Sequence, residues 1–587
     1  MTEAAPGHAS SAAIKARVGA GHPARWREEL GFVALAAIVG ILAGATAVGI
    51  SSGAKWMHRV LFETGADGML SPLPTLSAAY MYFIPALGGL VLGILGLFIR
   101  RWRPRPMVDP IEANALHGGR MSLLDSAILS LQVMLCNGFG ASVGMEAGYT
   151  QAGSGMASAI AGRFRLSRSQ WRVLVGCGAA GGIAAAFHAP LTGAFYGFEL
   201  VIGVYAIPSV APVMTAALLA FLTARMLGAT PFPILVPPIP DLTAADYPPF
   251  ILLGLVGAGV AIAIMRLVTL VEQGFARSGV PVPLRPVIGG LGVGALALYS
   301  PQILSSGEGA LHIQVGTGVT LSVLCVFLLK ICASSLSLGS GFRGGLFLAA
   351  LFLGSMMGKL FAAGAAFLGV AVDPVVSAVV GMAALAVGIV GGPFTMTFLT
   401  LETTGDLVIS GLVLSAAIAC SLTVRETFGY SFSTWRLHLR GESIRGAHDV
   451  GWLRDLTVAR LMEQGLSTFP ANGTQADLRA TFPLGQVRYV ALLDVDGRYA
   501  GMVRVARVYS AGRDGPIGDF AQHLHDMLHP QMNVTHAQAV FRHADAELLA
   551  VVDPETGRVL GQLHEVEALR RYAQEVEAAR RDLSGGE

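Results

Sequence analysis

Long stretches without a charged residue fill most of the chain up to residue 424. They cover residues 30–54, 68–99, 126–145, 147–162, 173–198, 200–224, 247–265, 286–307, 309–329, 344–358, 374–401 and 407–424. A membrane-spanning helix needs about 20 apolar residues, so several stretches are too short for one crossing and two are too long. Short stretches interrupted by glycine are typical of broken or re-entrant helices that line a cavity. We therefore predict an all-α polytopic membrane protein with broken helices.

The composition agrees with this interpretation. Of the 587 residues, 53% are hydrophobic and 13% are charged, and the mean hydropathy is +0.60. These values exclude a soluble enzyme, a disordered protein and a small disulfide-rich scaffold. The net charge of +2 indicates no nucleic-acid partner. The five cysteines lie in apolar stretches without metal-ligand spacing, so we interpret them as buried apolar residues and expect no metal.

The distribution of charge predicts three parts: a polar N-terminal segment (1–29), a transmembrane domain (30–436) and a small α/β domain (437–587). The first part lacks the apolar core of a secretory signal, and 20 of the 38 acidic residues lie beyond residue 430. Arginine clusters at 100–105 and 163–172 predict cytoplasmic loops by the positive-inside bias. We expect a multi-pass protein of the plasma membrane, or of the inner membrane in a bacterium, with both termini in the cytoplasm.

An internal repeat divides the transmembrane part into two related halves, about 30–225 and 247–436. The pattern G-x-A…P-x-T-x-x-F…E at 178–199 recurs at 381–402 with a constant offset of 203. The pair 144–148 and 345–349 has nearly the same offset, 201. Such halves often pack around a site at the membrane midplane.

Three predicted helix starts are candidate anion sites. Residues 109–112, D-P-I-E, have an N-cap, a proline at the first helical position and an acid at the third. The other two follow the glycine-rich segments 137–144 and 337–345. The free N–H groups at a helix start carry about half a positive charge. Converging starts would therefore bind an anion without needing a lysine.

Glu146 is the acid that we single out, because it lies at a glycine-flanked helix start between two uncharged stretches. An acid inside the membrane is costly and usually functional, and its carboxylate can occupy the place of an anion. The alternative is an acid that only satisfies the dipole of its own helix. Glu199 and Glu402 occupy equivalent repeat positions, and for them a local role at a helix end stays open beside a transport role.

Two segments carry a resemblance to a known family. Residues 144–148, G-M-E-A-G, and 176–193, G-C-G-A-A-G-G-I-A-A-A-F-H-A-P-L-T-G, are similar to G-R-E-G-P and G-A-A-A-G-L-A-A-A-F-N-A-P-L-A-G in the CLC family of chloride channels and chloride/proton antiporters. Residues 345–349 resemble its G-x-F-x-P motif, and Tyr430 falls where the family has a tyrosine on the anion path. The resemblance covers about residues 30–436.

The resemblance implies voltage-gated chloride transport by a homodimer with one anion path in each subunit and with inverted halves. Glu146 would be the gating glutamate, whose carboxylate leaves an anion site when it is protonated or displaced. The residues that the resemblance places at the anion are Gly144, Met145, Ala147, Gly345, Leu346, Phe347, Leu348, Tyr430, Met107 and Val108.

Several departures from the family motifs affect the expected transport. The family's G-S-G-I-P is P-M-V-D-P at 106–110, so no hydroxyl is available there, and the carboxylate of Asp109 competes with an incoming anion. Met145 replaces the motif arginine, which weakens anion attraction at the outer mouth. The proton-accepting glutamate of many antiporters is Leu200 here. We favour a channel; a proton-coupled exchanger with Glu199 as relay, and selectivity for nitrate or fluoride, stay open.

Two hairpin-like units in the C-terminal domain, 489–503 and 548–561, are each followed by a helical stretch. This two-fold repeat resembles a CBS-domain pair, which commonly follows CLC proteins in the cytoplasm and sometimes binds adenine nucleotides. The positions of the family's nucleotide contacts hold Arg504, Arg507, His564 and Glu567. Of these positions, only Glu567 has an acid where the family binds the ribose. We therefore favour a module that stabilises the dimer. An adenine nucleotide is the one candidate cofactor.

Two competing classes are less well supported by the sequence. An intramembrane enzyme would need a nucleophile with a base, or paired metal ligands. The candidate groups Ser142, His188, Glu146, Glu199 and Glu402 form no G-x-S-x-G, H-E-x-x-H or paired-aspartate motif. If the protein were only a sensor, with the C-terminal domain as its signalling part, the three predicted helix starts that suit an anion would have no explanation. We therefore predict a transport protein without catalytic activity.

Overall fold

The computed structural model describes residues 22–65, 67–229, 244–316, 321–440, 456–511 and 515–584. Residues 1–21 of the polar N-terminal segment lie outside these ranges. The chain divides into two compact units, Met1–Asp449 and Val450–Glu587. The domain boundary expected at 436/437 stays a prediction, because residues 441–455 are also outside the described ranges.

The first unit consists of helices joined by loops. In chain order they are α1 (His22–Phe62), α2 (Ile84–Trp102), α3 (Pro110–Leu116), α4 (Leu123–Gly138), α5 (Glu146–Arg163), α6 (Arg168–Phe187), α7 (Pro190–Tyr196), α8 (Ile207–Met226), α9 (Tyr247–Arg277), α10 (Arg285–Ala297), α11 (Glu308–Gly316), α12 (Leu321–Ser340), α13 (Phe347–Phe367), α14 (Pro374–Val390), α15 (Pro393–Thr404), α16 (Leu407–Thr427) and α17 (Phe432–Leu439). A π-helical turn, Gly197–Ile202, continues α7.

The helices differ in length, as the uneven charge-free stretches predict. Among the residues described, seven helical segments are long and apolar enough to cross a membrane, and four shorter apolar helices accompany them. The short ones are Leu123–Gly138, Pro190–Ile202, Val282–Ala297 and Pro374–Val390. A polytopic fold with broken helices is thereby confirmed.

The uncharged stretches 173–198 and 374–401 each form two helices. His188 follows the last residue of α6 and has a φ of 54°, and Gly391 follows the last residue of α14 and has a φ of 95°. Both residues have left-handed backbone, which stops a helix. A proline then begins the next helix in each half, where its missing N–H is not needed.

Equivalent glycine contacts confirm the predicted repeat. Helices α5 and α6 touch at Gly153 and Gly178, and α13 and α14 touch at Gly354 and Gly381. A methyl group at Gly178 would lie 2.3 Å from the Gly153 carbonyl oxygen, and one at Gly381 would lie 2.5 Å from that of Gly354. Only glycine permits such close backbone packing. The two contacts are related by the offsets 201 and 203 found in the sequence.

The second unit is the expected small α/β domain. Strand β1 (Thr468–Pro470) runs parallel to β2 (Tyr489–Leu493), which pairs antiparallel with β3 (Tyr499–Arg504). Strands β4 (Leu548–Val552) and β5 (Val559–His564) form the second hairpin. The helices are α18 (Val458–Leu461), α19 (Gln475–Thr481), α20 (Val505–Ser510), α21 (Val534–Ala544) and α22 (Glu565–Ser584). Both predicted hairpins, each followed by a helix, are present.

Local hydrogen bonds close the second hairpin. The Thr556 hydroxyl donates to the Asp553 carboxylate over 2.7 Å, and the N–H of Glu555 donates to the same group over 3.2 Å. These bonds hold the pKa of Asp553 below its usual range, because they favour the charged form. Gly557, with φ of 70°, completes the turn.

Candidate functional site

The starts of two helices from different halves meet. The N–H of Gly144 donates to the carbonyl of Gly345 over 2.9 Å, and the N–H of Gly345 donates back over 3.1 Å. Directly after this pair, α5 begins at Glu146 and α13 begins at Phe347. Two helix N-termini with free N–H groups therefore lie side by side, which is the arrangement that favours an anion.

The carboxylate of Glu146 lies at the start of the other half's helix. Its Oε1 accepts a hydrogen bond of 2.8 Å from the N–H of Leu348, in the first turn of α13. The residue is 3% exposed. Within the described part of the chain, its Oε2 has no hydrogen-bond partner. A carboxylate that takes a helix N–H from a different helix occupies the place of an anion.

Buried polar side chains hold the two glycine-rich segments that precede these helices. The Asn137 amide donates to the carbonyl of Val143 over 2.9 Å and accepts from the Ser305 hydroxyl over 3.1 Å. The N–H of Ser142 donates to the Ser337 hydroxyl over 3.0 Å. The bond between Ser142 and Ser337 joins the segment before α5 to the segment before α13, and the bonds of Asn137 hold the first of these segments in place.

A cavity of about 590 Å³ opens beside Glu146. Its wall combines residues from distant parts of the first unit, among them Pro106, Met107, Asp109, Glu146, Ala147, Thr150, Tyr196, Thr269, Glu272, Arg343, Gly345, Leu346, Phe347, Phe432, Arg436 and Arg440. The first residues of α5 and the residues at the start of α13 therefore line this cavity.

Most of the residues predicted at the anion lie near Glu146. Met107, Ala147, Gly345, Leu346 and Phe347 line the cavity with it, whereas Gly144 and Leu348 contribute backbone to the helix starts.

Two predicted residues face other surroundings. Met145 lines a second, much smaller pocket together with His58 and Glu308. The carbonyl of Val108 accepts a hydrogen bond of 2.9 Å from the Gln151 amide. Neither side chain adds a polar group to the cavity.

A different tyrosine from the predicted one lines the cavity. The hydroxyl of Tyr430 is 3.1 Å from His438 Nδ1, and the two rings stack at 4.5 Å. Trp435 lies 5.7 Å from the Tyr430 ring, so Tyr430 packs against aromatic side chains of α17, and it is not among the residues that line the cavity. Tyr196 lies in the wall instead, with its ring 6.3 Å from that of Phe347. Its position as the one tyrosine of the uncharged stretch 173–198 was the signal available in the sequence.

Asp109 caps α3 as the sequence predicts. Its Oδ1 accepts from the N–H of Glu112 over 2.8 Å, and Pro110 is the first helical residue. Glu112 in turn accepts from the Arg440 guanidinium over 3.2 Å. The Asp109 carboxylate therefore brings a negative charge to the cavity wall.

Glu199 and Glu402 form what we call the reciprocal clamp, in which each acid caps a helix of the other half. Glu199 accepts from the N–H of Phe394 (3.0 Å) and from the N–H and hydroxyl of Thr395 (2.8 and 2.6 Å) at the start of α15. Glu402 accepts from the N–H of Leu191 (2.8 Å) and from the N–H and hydroxyl of Thr192 (2.8 and 2.7 Å) at the start of α7. The clamp has the symmetry of the repeat.

A protein-family model, Voltage gated chloride channel, matches residues 94–425. The chain is similar to the voltage-gated ClC-type chloride channel ClcB of Citrobacter koseri, with 29% identity over 406 residues that cover 68% of this chain and 97% of that protein. ClcB of Escherichia coli is 28% identical over 393 residues, which cover 66% and 94%.

Solved structures share the fold. A slow cyanobacterial Cl⁻/H⁺ antiporter superposes with a TM-score of 0.60 at 21% identity, over 70% of this chain and 97% of that one. A CLC-type fluoride/proton antiporter gives 0.56 at 22% identity, over 67% and 94%. A eukaryotic CLC transporter gives 0.54 at 16% identity, over 92% and 98%. The last match also extends over the C-terminal domain.

Proposed function

The chain belongs to the family of voltage-gated chloride channels, and from this membership we propose that it moves chloride and related inorganic anions across a membrane, with Glu146 as the gate. The observation that carries the proposal is the bond from Leu348 N–H to the buried Glu146 carboxylate. A helix start attracts negative groups through its free N–H groups, and the Glu146 carboxylate already accepts one of these N–H groups in α13. The carboxylate and a permeating anion therefore compete for the same place.

We propose channel-like flux rather than tightly coupled exchange. A proton relay must gain and lose a proton, but the Glu199 carboxylate already accepts three hydrogen bonds at the start of α15. Protonation would weaken these bonds, since the neutral acid is the poorer acceptor. Leu200, the next residue, is apolar and buried. The exchanger stays the second candidate, because Glu199 is an acid inside an otherwise uncharged stretch.

Flux and proton movement measured together test this proposal. We expect purified protein in liposomes to release chloride without stoichiometric movement of protons. The same measurement is made with nitrate and with fluoride in place of chloride. An anion gradient that drives protons uphill would establish an exchanger instead. Vesicles that release none of the three anions would refute transport.

We also propose a homodimer in the plasma membrane whose C-terminal domain is a cytoplasmic CBS pair. We propose that this domain stabilises the dimer rather than binding a nucleotide, because Glu567 already accepts from the Arg571 guanidinium over 3.2 Å. Subunit counting in single vesicles tests the dimer, and tight binding of ATP to the full-length protein would contradict the role of the domain.

The acid at the cavity wall predicts a gain of flux on substitution. Serine at position 109 can accept the same Glu112 N–H, so Asp109→Ser should keep α3 and remove a charge that repels anions. We expect chloride efflux to rise about threefold, the size of a screened charge interaction over a few ångströms. Asp109→Asn is the matched control, since asparagine is also a neutral cap. A fall in flux in both variants would show that Asp109 assists anions.

A further inference from the structure

Arg343 is a cavity residue whose charge has no acidic partner in the described part of the chain. It is exposed, lines the cavity and precedes Gly345 by two residues. Its backbone N–H donates to the sulfur of Cys136 over 3.2 Å, which holds the segment in place. Its guanidinium forms no ion pair or hydrogen bond with any residue of the described ranges.

The other two arginines of the wall each contact a side chain of the protein. Arg440 donates to Glu112 over 3.2 Å, and Arg436 lies 5.9 Å from the centre of the Phe432 ring. Arg436 and Arg440 also face the carboxylate of Asp109 electrostatically. The charged side chains that act most strongly on Arg343 are Arg436, Arg100 and Arg440. The guanidinium of Arg343 therefore offers a positive charge that an anion from solution can neutralise.

The neighbouring groups indicate the shape of that anion. Met107 and Asp109, from the segment before α3, contribute an apolar side chain and a repelling carboxylate to the wall. The adjoining helix starts already hold the carboxylate of Glu146, which is a planar oxyanion. A guanidinium donates two parallel hydrogen bonds to a planar oxyanion, whereas a spherical halide offers it no second oriented acceptor.

We propose that Arg343 binds a planar monovalent oxyanion, with nitrate as the simplest example, in the cavity beside Glu146, and that this subsite favours nitrate over chloride. The proposal rests on the proposed function, because it assigns a substrate class to the same anion path. The guanidinium supplies the positive charge and the two parallel N–H donors that the segment 106–109 lacks.

Nitrate binding and relative flux test the subsite. Full-length protein in detergent is titrated with nitrate and with chloride by calorimetry, and efflux of both anions is measured from liposomes. Wild type should bind nitrate more tightly than chloride and release it faster. Arg343→Gln should weaken nitrate binding about tenfold, as expected for losing a charge-assisted bond, and should lower the nitrate-to-chloride flux ratio.

Two further variants separate charge from shape and from folding. Arg343→Lys keeps the positive charge but lacks the two parallel N–H donors of a guanidinium. Chloride efflux should therefore persist while the nitrate preference is lost. Arg266→Gln removes the same charge from α9, where the guanidinium lies 5.7 Å from the Phe428 ring and outside the cavity wall. Its binding and flux ratio should match wild type.

The outcomes distinguish this proposal from the proposed function. A wild-type flux ratio in Arg343→Gln, with chloride efflux intact, overturns the subsite and leaves transport standing. Nitrate binding that depends on Arg343 in a protein that releases no anion overturns transport and leaves the subsite standing. Equal affinity of wild type for nitrate and chloride overturns the preference for planar oxyanions.

Discussion

Replacing Glu146 by glutamine is expected to keep anion flux high and to abolish its dependence on pH. In the wild type, a falling pH neutralises carboxylates, so protonation of Glu146 removes the negative group from the start of α13 and flux should rise. Glutamine is neutral at every pH, and its amide oxygen can still accept the N–H of Leu348. The helix starts therefore remain intact while the competition with the anion ends.

Chloride efflux from liposomes across the titration range of a carboxyl group measures this effect. Glu272→Gln is the matched control, because Glu272 is an exposed acid on the same cavity wall that belongs to α9 and not to α5 or α13. Its pH profile should resemble wild type. A wild-type profile in Glu146→Gln would rule out Glu146 as the gate.

Loss of either acid of the reciprocal clamp is expected to destabilise the transmembrane unit. In Glu199→Ala, the N–H groups of Phe394 and Thr395 lose their acceptor inside the protein. Hydrogen bonds to a charged group contribute about 1.5–3 kcal/mol each. Allowing for partial exposure, we expect the free energy of unfolding to fall by about 3 kcal/mol. Glu402→Ala should cost a similar amount, because its bonds are equivalent.

Thermal unfolding of the purified protein in detergent measures these losses. Thr395→Val is the matched control for Glu199, because it removes only the hydroxyl bond of 2.6 Å and should cost about 1 kcal/mol. The double variant should lose less than the sum of both, since the two groups share one interaction. If Glu199→Ala unfolds like wild type but loses proton movement that wild type shows, Glu199 is a relay and not part of a clamp.

Local signals in the sequence were sufficient for the helix boundaries that matter most. The D-P-I-E pattern at 109–112 predicted the cap of α3, and glycine-rich segments predicted the starts of α5 and α13. The breaks inside 173–198 and 374–401 follow from Pro190 and Pro393. Caps and proline act within one helical turn, so a single chain segment contains all the information that they need.

The partners of the important side chains could not be derived in this way. Glu146 and Leu348 are 202 residues apart, and Tyr196, which the sequence did not single out, lies in the cavity wall. The repeat predicted that the two halves are alike but not which acid reaches which helix. That pairing depends on contacts between the halves, such as the two backbone hydrogen bonds that join Gly144 and Gly345.

Composition, charge distribution and the repeat thus established a membrane protein with broken helices and named Glu146 as its central acid. The crossing of the two halves placed that carboxylate at the start of the opposite helix and gave each of Glu199 and Glu402 a helix of the other half to cap. It also left the Arg343 guanidinium without an ion pair among the described residues. The reason is range: hydrophobic periodicity and helix caps act over a few residues, whereas the electrostatics of a site depend on which distant segments the packed core brings together.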